Sequence, residues 1–349
     1  MAGAANGAFC GAPLCRDPVF LDRLRDHAMI LFGGALALGC LPPPLQYVCG
    51  PFLMAMTRFM ASRVMQKSRP VVSERLKHTA RMKTDPNYDW NPPDDALQWM
   101  IDECYACPDP GQLELGRVCD RLLISNDVSL LSTAFSAQNL ILDLFSTDPA
   151  LGYVDTLRRE CSLAFRESGG KWTWDAISKL RLVDAAIRES LRLSPVGSVM
   201  LPRKVVKPDG IDVQGWSSPI PKGTHVAAPI EAIHLDADTY PNPREYNPFR
   251  FVHPPKGSTP GAARGSDPPR KIRSTVTLDE NFLSFGIPGR HACPGRFFAL
   301  LELKIFLAHL LLNYEVEHMA SKPKPIYMLW ARYPANSTIR IRKRRSDHP

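Results

Sequence analysis

The chain predicts an α+β fold, mainly α, and not a doubly wound one. Three observations carry this. Helical periodicity fills the sequence up to about residue 193, strand-like text begins only after it, and no strand–helix–strand alternation runs through the chain. With 44% hydrophobic and 22% charged residues among 349, the composition is ordinary globular usage and excludes a wholly disordered or fibrous chain. The 33 prolines announce long irregular connections.

Residues 18–38 and 46–65 read as two apolar helices separated by Pro42-Pro43-Pro44, which cannot continue a helix. The apolar run 28–41 is about 14 residues, short of the about 20 that span a bilayer, so it reads as a buried or surface-dipping helix. Residues 66–95 are polar and basic, close at Asn91-Pro92-Pro93, and read as a loop. A helix around 95–105 follows, broken by Pro108-Asp109-Pro110. Residues 111–145 contain no proline and read as one very long helix. Val118, Leu122, Val128, Leu131, Phe135, Leu142 and Phe145 cover most of its faces, the mark of a helix in the middle of a protein.

Asp148, with Pro149 in the first-turn position, starts a further helix to about residue 167. The next, 173–193, spaces Ile177, Leu180, Val183, Ile187 and Leu191 on one face and stops at Ser194-Pro195. Strand-like segments at 199–206, 211–213 and 225–228, with the turn Pro208-Asp209-Gly210, predict a small sheet of hairpins. Residues 236–280 read mostly as loop, and the Pro/Gly/basic stretch 254–273 as flexible. A last helix at 295–313 leads to strands near 314–317 and 337–342. The whole reads as a single domain.

Lys and Arg number 43 against 35 Asp and Glu, a net charge of +8, which suits an anionic partner without naming one. The nine cysteines are odd in number and unevenly spread, so they form no disulfide framework and fit a reducing compartment. Cys104 and Cys107 have no second Cys or His pair at zinc spacing. Residues 1–12 carry no basic segment followed by an apolar stretch, so no secretory signal is expected. The basic tail from Arg342 lacks interleaved aromatics and reads as a solvated end; no nucleic-acid partner is expected.

One segment stands apart: Phe282-Leu283-Ser284-Phe285-Gly286-Ile287-Pro288-Gly289-Arg290-His291-Ala292-Cys293-Pro294-Gly295-Arg296. Glycines and prolines surround one cysteine, and a long apolar helix starts straight after it. A sulfur placed there faces free backbone N–H groups and the positive end of the helix dipole, surroundings that hold a thiolate. A thiolate ligates iron, and on haem iron it favours O–O cleavage. The glycines let a flat macrocycle approach the backbone.

This pattern resembles the cysteine-ligand loop of the cytochrome P-450 haem-thiolate monooxygenases. Gly289, His291, Cys293 and Gly295 match the family spacing, with His in the usual Arg position. The run Gly-Arg-His-Ala-Cys-Pro-Gly-Arg-Phe-Phe-Ala is similar to the fungal secondary-metabolism branch, near the ent-kaurene oxidases. Ile287-Pro288 stands where the family has one residue, so Phe285 lies one position too far from Cys293 and Gly286 occupies the Phe spacing. Either the loop bulges by one residue, or the Phe no longer packs on the sulfur side of the haem.

Other matches follow from the same resemblance. Glu189 and Arg192, at i and i+3 on one helix face, match the family's ExxR pair. Arg250, in Tyr240-Pro241-Asn242-Pro243-Arg244-Glu245-Tyr246-Asn247-Pro248-Phe249-Arg250-Phe251, matches the arginine that joins it in a structural lock. Ser132, with Thr133 beside it, falls at the family's oxygen-activating alcohol, although Leu131 replaces the usual acidic or His partner. For these two hydroxyls, back-bonding to their own helix is the alternative. His291 and Arg203 match contacts to the haem propionates; an ordinary surface arginine is the alternative for Arg203.

The resemblance implies a P-450 fold with a long central helix and small late sheets, and a thiolate-ligated haem (heme, iron protoporphyrin IX) with Cys293 as axial ligand. It implies a monooxygenase that oxidises a hydrophobic small molecule such as a terpenoid or polyketide, using dioxygen. Electrons are expected from NADPH-cytochrome P-450 reductase, whose acidic face Arg290, Arg296 and Lys304 would suit. Peripheral membrane contact at the cytosolic face of the endoplasmic reticulum is expected, otherwise a cytoplasmic location. The resemblance runs from about Leu14 onward and covers the later two thirds of a family member, lacking the anchor helix, the first sheet and an early propionate-gripping helix. A second reading is therefore a truncated relative that binds haem without turnover, or an incomplete gene model.

Overall fold

The computed structural model describes residues 2–252 and 274–344, so the stretch 254–273 expected to be flexible lies outside the described residues. Helices dominate, and the described strands form three two-stranded antiparallel sheets late in the chain. The fold is α+β, mainly α. The backbone divides into two compact units, Met1–Ala134 and Phe135–Pro349.

The first unit holds α1 (Ala2–Phe9), α2 (Pro18–Ala28), α3 (Gly34–Gly39), α4 (Pro43–Thr84), α5 (Ala96–Ala106) and the larger part of α6 (Leu115–Phe145). Asp17 caps α2 by accepting from the Val19 and Phe20 amides, with Pro18 in the first turn. The proline triplet opens α4 instead of merely separating two helices. Pro42 is its N-cap, and Pro43 and Pro44 fill first-turn positions where no N–H is needed.

The expected loop at 66–95 is helical as far as Thr84, and α4 passes through Pro51 and Pro70 to reach it. The reason is a buried stripe built partly of polar residues: Val64, Ser68, Val72, Arg75 and Thr79. Arg75 is satisfied by Asp95 through two parallel bonds of 3.0 Å each, and Asp95 also caps α5 by accepting from the Gln98 amide at 2.9 Å.

The long helix α6 forms as the sequence predicts, but it is not buried all round. Val118, Leu122, Leu140 and Leu142 are buried, whereas Ile124 and Val128 are 59% and 64% exposed. By length and composition alone α6 could cross a membrane, and half of its most apolar window is buried within the protein.

In the second unit Asp148 caps a short 3-10 turn, Pro149–Leu151, and Gly152 turns the chain at φ +64° before α7 (Tyr153–Glu167) begins. The helix expected over 173–193 is two helices, α8 (Trp174–Ser178) and α9 (Arg181–Leu193). Glu160 on α7 makes the break possible. Its carboxylate accepts from the Arg181, Leu182 and Val183 amides at 2.9, 2.8 and 2.9 Å, capping α9 from another element. Every residue of α9 from Val183 to Arg192 is buried.

β1 (Met200–Lys204) pairs with β2 (His225–Ala228), and α10 (Ile230–His234) follows. Ile211 in the expected middle strand makes only an isolated bridge to Ile220. Gly295 is the N-cap of α11 (Arg296–Asn313), which packs on α7 and α9. β3 (Tyr314–Val316) pairs with β6 (Ile341–Lys343). An unanticipated hairpin, β4 (Ile326–Met328) with β5 (Ala331–Tyr333), lies between them; its three-residue strands are too short to show alternation.

Candidate functional site

The second unit is organised around a buried carboxylate. Glu189 and Arg192, both 0% exposed, meet through two bonds of 2.8 Å, Arg192 Nε to Oε2 and Nη2 to Oε1. Arg250 Nε donates to Glu189 Oε1 at 2.9 Å, and the Asn247 amide donates to the same oxygen at 3.2 Å. Arg192 Nη1 is spent on the carbonyls of His234 and Pro243 at 2.6 and 2.7 Å. Arg250 spends its other nitrogens on the carbonyls of Pro241, Asn242 and Glu245. One anion thus holds two cations, and both cations staple the Pro-rich segment 241–250 to α9.

The segment before Cys293 is tied to the same scaffold. Tyr240 Oη donates to the Asn281 carbonyl at 2.8 Å, the Leu283 amide donates to His234 Nε2 at 2.9 Å, and Ser284 Oγ donates to the Leu191 carbonyl at 3.1 Å. Burial pushes the Tyr240 hydroxyl up to about 12, so it stays a donor. Phe282 lies fully buried beneath the guanidinium of Arg188, 3.8 Å from the ring centre.

From Phe285 the chain turns back on itself. The Cys293 amide donates to the Phe285 carbonyl at 2.7 Å, and Gly286 bridges Ala292. The extra residue is therefore taken up inside the loop, between Gly286 and Ala292, and Phe285 stands opposite Cys293. Gly286 has φ +86°, and a Cβ there would lie 2.6 Å from the His291 carbonyl oxygen, so only glycine closes this turn. Gly289 has φ +94° with open space around it. Cys293 is exposed, immediately before the first turn of α11, and a Cβ on Gly295 would stand 3.9 Å from its sulfur.

The sequence-predicted residues thus fall into separate groups. Phe285, Gly289, His291, Cys293 and Gly295 share one loop, and Glu189, Arg192 and Arg250 form one cluster. His291 is exposed beside Arg290 at 3.4 Å. Arg203 is exposed on β1, where its Nη1 donates to the Pro202 carbonyl at 2.9 Å. Ser132 and Thr133 lie on α6 in the first unit; Ser132 Oγ donates to the Val128 carbonyl at 3.3 Å and Thr133 is buried. Lys304 corrects the expectation of a surface cation: it is buried and paired with Asp184 at 2.9 Å.

Sequence reasoning missed His234, Ser284, Asp184 and Asp143. Asp184 accepts from the Thr275 amide at 2.7 Å and from Ser274 Oγ at 3.0 Å. Asp143 takes Ser190 Oγ at 2.7 Å and the ammonium of Lys322; burial nevertheless raises its carboxyl above the usual range, against the pull of that lysine. The available signal was charge on the apolar face of α9, where Asp184 and Arg188 interrupt the hydrophobic spacing.

Comparison with known proteins bears on the same residues. The family model described as cytochrome P450 matches residues 144–339. The chain is 44% identical, over 99% of its length, to the cytochrome P450 monooxygenase okaG of Penicillium ochrochloron, and spans 66% of that protein. It is 36% identical, over 98% of its length, to the cytochrome P450 monooxygenase gloP of Glarea lozoyensis, and spans 63% of it. A retinoic acid bound cyanobacterial CYP120A1 structure aligns with a TM-score of 0.64 over 98% of this chain and 67% of that one, at 21% identity, a likeness of fold.

Proposed function

The chain belongs to the cytochrome P450 family, and from that premise we propose that it serves a haem-dependent monooxygenase acting on a hydrophobic secondary metabolite, of terpenoid or polyketide type. The family and its fold imply a thiolate-ligated haem. The residues present fit such a group. The Cys293 sulfur is a soft donor exposed at the start of α11, glycine at 295 puts no side chain against it, and the space around Gly289 is open. Bound haem supplies the chemistry that splits dioxygen and places one oxygen atom in the substrate.

The observation that carries this reading is the rigid mounting of Cys293: its amide is fixed to Phe285, and the segment 281–284 is fixed to Tyr240, to His234 of α10 and to Leu191 of α9. The chain's own contributions are to hold the thiolate, exclude competing groups from it, and balance the propionates. His291 and Arg203 are the cations proposed for the propionates, and Ser132 Oγ and Thr133 Oγ1 the hydroxyls that would hold a proton for the reaction. Electrons are proposed to come from an NADPH-cytochrome P450 reductase. Peripheral contact with the cytosolic face of the endoplasmic reticulum membrane is proposed through exposed Tyr47, Val48 and Phe52 on α4. We also propose that the two units belong to one P450 domain.

Haem-supplemented protein, reduced and treated with carbon monoxide, is expected to show the far-red-shifted Soret band of thiolate ligation, and Cys293→Ala to abolish it. Absence of the band in the parent rejects the assignment. A second reading, haem binding without turnover, is favoured by the commitment of Ser132 Oγ to the Val128 carbonyl beside an apolar Leu131. Product formation with a reductase present separates the two.

A further inference from the structure

His234 closes α10 and is completely buried. Its ring bridges two backbones. Nδ1 meets the Arg192 carbonyl at 3.1 Å, and Nε2 meets the Leu283 amide at 2.9 Å. The first contact needs a ring N–H and the second needs a ring lone pair, so the neutral imidazole carrying its proton on Nδ1 satisfies both. The ring is stacked on Phe282 at 5.5 Å and 14°. Burial pushes the imidazole down to about 4; Arg192 and Arg188 push the same way, against Asp279 and the bond to the Arg192 carbonyl.

This bridge is separable from the Glu189 lock. The Arg192 guanidinium binds the backbone carbonyl of His234, and that bond survives any replacement of the side chain; of Arg192, the ring itself meets only the backbone carbonyl. What the ring alone holds is Leu283, two residues before the carbonyl that receives the Cys293 amide. Resting on the haem-thiolate reading above, we propose that His234 is a positioning residue for Cys293: its ring sets the height and direction of the cysteine loop, and so the integrity of the iron–sulfur bond, from outside the loop.

The test compares the parent with His234→Phe, which keeps the stack and loses both polar contacts. His234→Asn is the second variant, matching Nδ1 but not reaching Leu283. Both are expected to bind haem near the parental level, while in the reduced CO spectrum the ratio of thiolate-type to blue-shifted thiol-type absorbance drops about fivefold, the worth of one buried backbone hydrogen bond. A ring that only stabilises the fold would lower haem content and leave that ratio unchanged, and such a result overturns the proposal. A parent without the thiolate band overturns the haem reading itself. Should the variants not fold, hydrogen exchange in the parent decides. Leu283 is expected to exchange as slowly as the amides of α9, and exchange as fast as that of Gly289 and Arg290 rejects the bridge.

Discussion

The guanidinium of Arg188 lies 3.8 Å from the centre of the Phe282 ring, with the side chain 1% exposed. Its Nη1 donates to the Ser274 and Thr277 carbonyls at 2.9 and 2.8 Å, and its Nη2 reaches Asp279 at 3.4 Å. One cation on α9 therefore folds the approach to the cysteine loop around itself. Arg188→Met retains most of the stem but leaves two carbonyls without their donor. We predict a loss of roughly 3 kcal/mol, since truncating one side of a buried charged network strands the other. Urea unfolding at neutral pH measures it, and a midpoint equal to the parent's contradicts the arrangement.

Arg192→Lys is predicted to behave as a severe change despite keeping the charge. The fork of Arg192 supplies two bonds to Glu189 and two to backbone carbonyls, and a single ammonium cannot reach all four acceptors. A destabilisation of about 3 kcal/mol or more is expected, with soluble yield falling accordingly. Thermal unfolding of the purified variant checks it; a melting temperature within a degree or two of the parent's would falsify the shared-carboxylate lock.

The sequence makes some of this legible and hides the rest for physical reasons. Glu189 and Arg192 reveal themselves by helical spacing, and the cysteine loop by glycines that a tight turn demands. The break before α9 is invisible because its cap is Glu160, a side chain on α7. The continuation of α4 past residue 66 is hidden by Ser68, Arg75 and Thr79, polar residues buried because Asp95 and other partners satisfy them. Lys304 reads as a surface cation because its partner Asp184 lies on another helix. Short-range pattern reports propensity, whereas these features are made by contacts between elements.

The acid side of the stability profile is predicted to depend on His234. Its folded value of about 4 lies below the ordinary 6.5, so the unfolded chain takes up the proton first. Stability from this group is therefore complete above pH 6.5, falls as pH drops toward 4, and falls no further below that. The loss integrates to roughly 3 kcal/mol. Arg192 and Arg188 act on the ring from α9, and Asp279 from the segment before the cysteine loop. Asp143 and Glu160 are raised by burial and act with opposite sign, their contributions weakening as pH rises. Subtracting the profile of His234→Asn from that of the parent cancels them. The difference should slope between pH 6.5 and 4 and be flat above; a flat difference throughout disproves the assignment.

Two glycines of the cysteine loop offer a sharper comparison, because both have positive φ and only one is crowded. At Gly286 a methyl group would meet the His291 carbonyl oxygen at 2.6 Å, which the backbone must move to relieve. At Gly289 nothing lies within 4 Å, so alanine there bears conformational strain alone, on the order of 1 kcal/mol. The moving part at Gly286 is the Gly286–Ala292 bridge, directly beside the Cys293 amide bond to Phe285. Gly286→Ala is therefore predicted to cost the thiolate Soret band while α9 and its lock persist, and Gly289→Ala to leave most of the band intact. Circular dichroism verifies the fold in each case, and the reduced CO spectrum reads the loop. If the two variants lose the band equally, φ strain and not the clash governs the loop, and the close approach of Gly286 to His291 carries no weight in holding the sulfur.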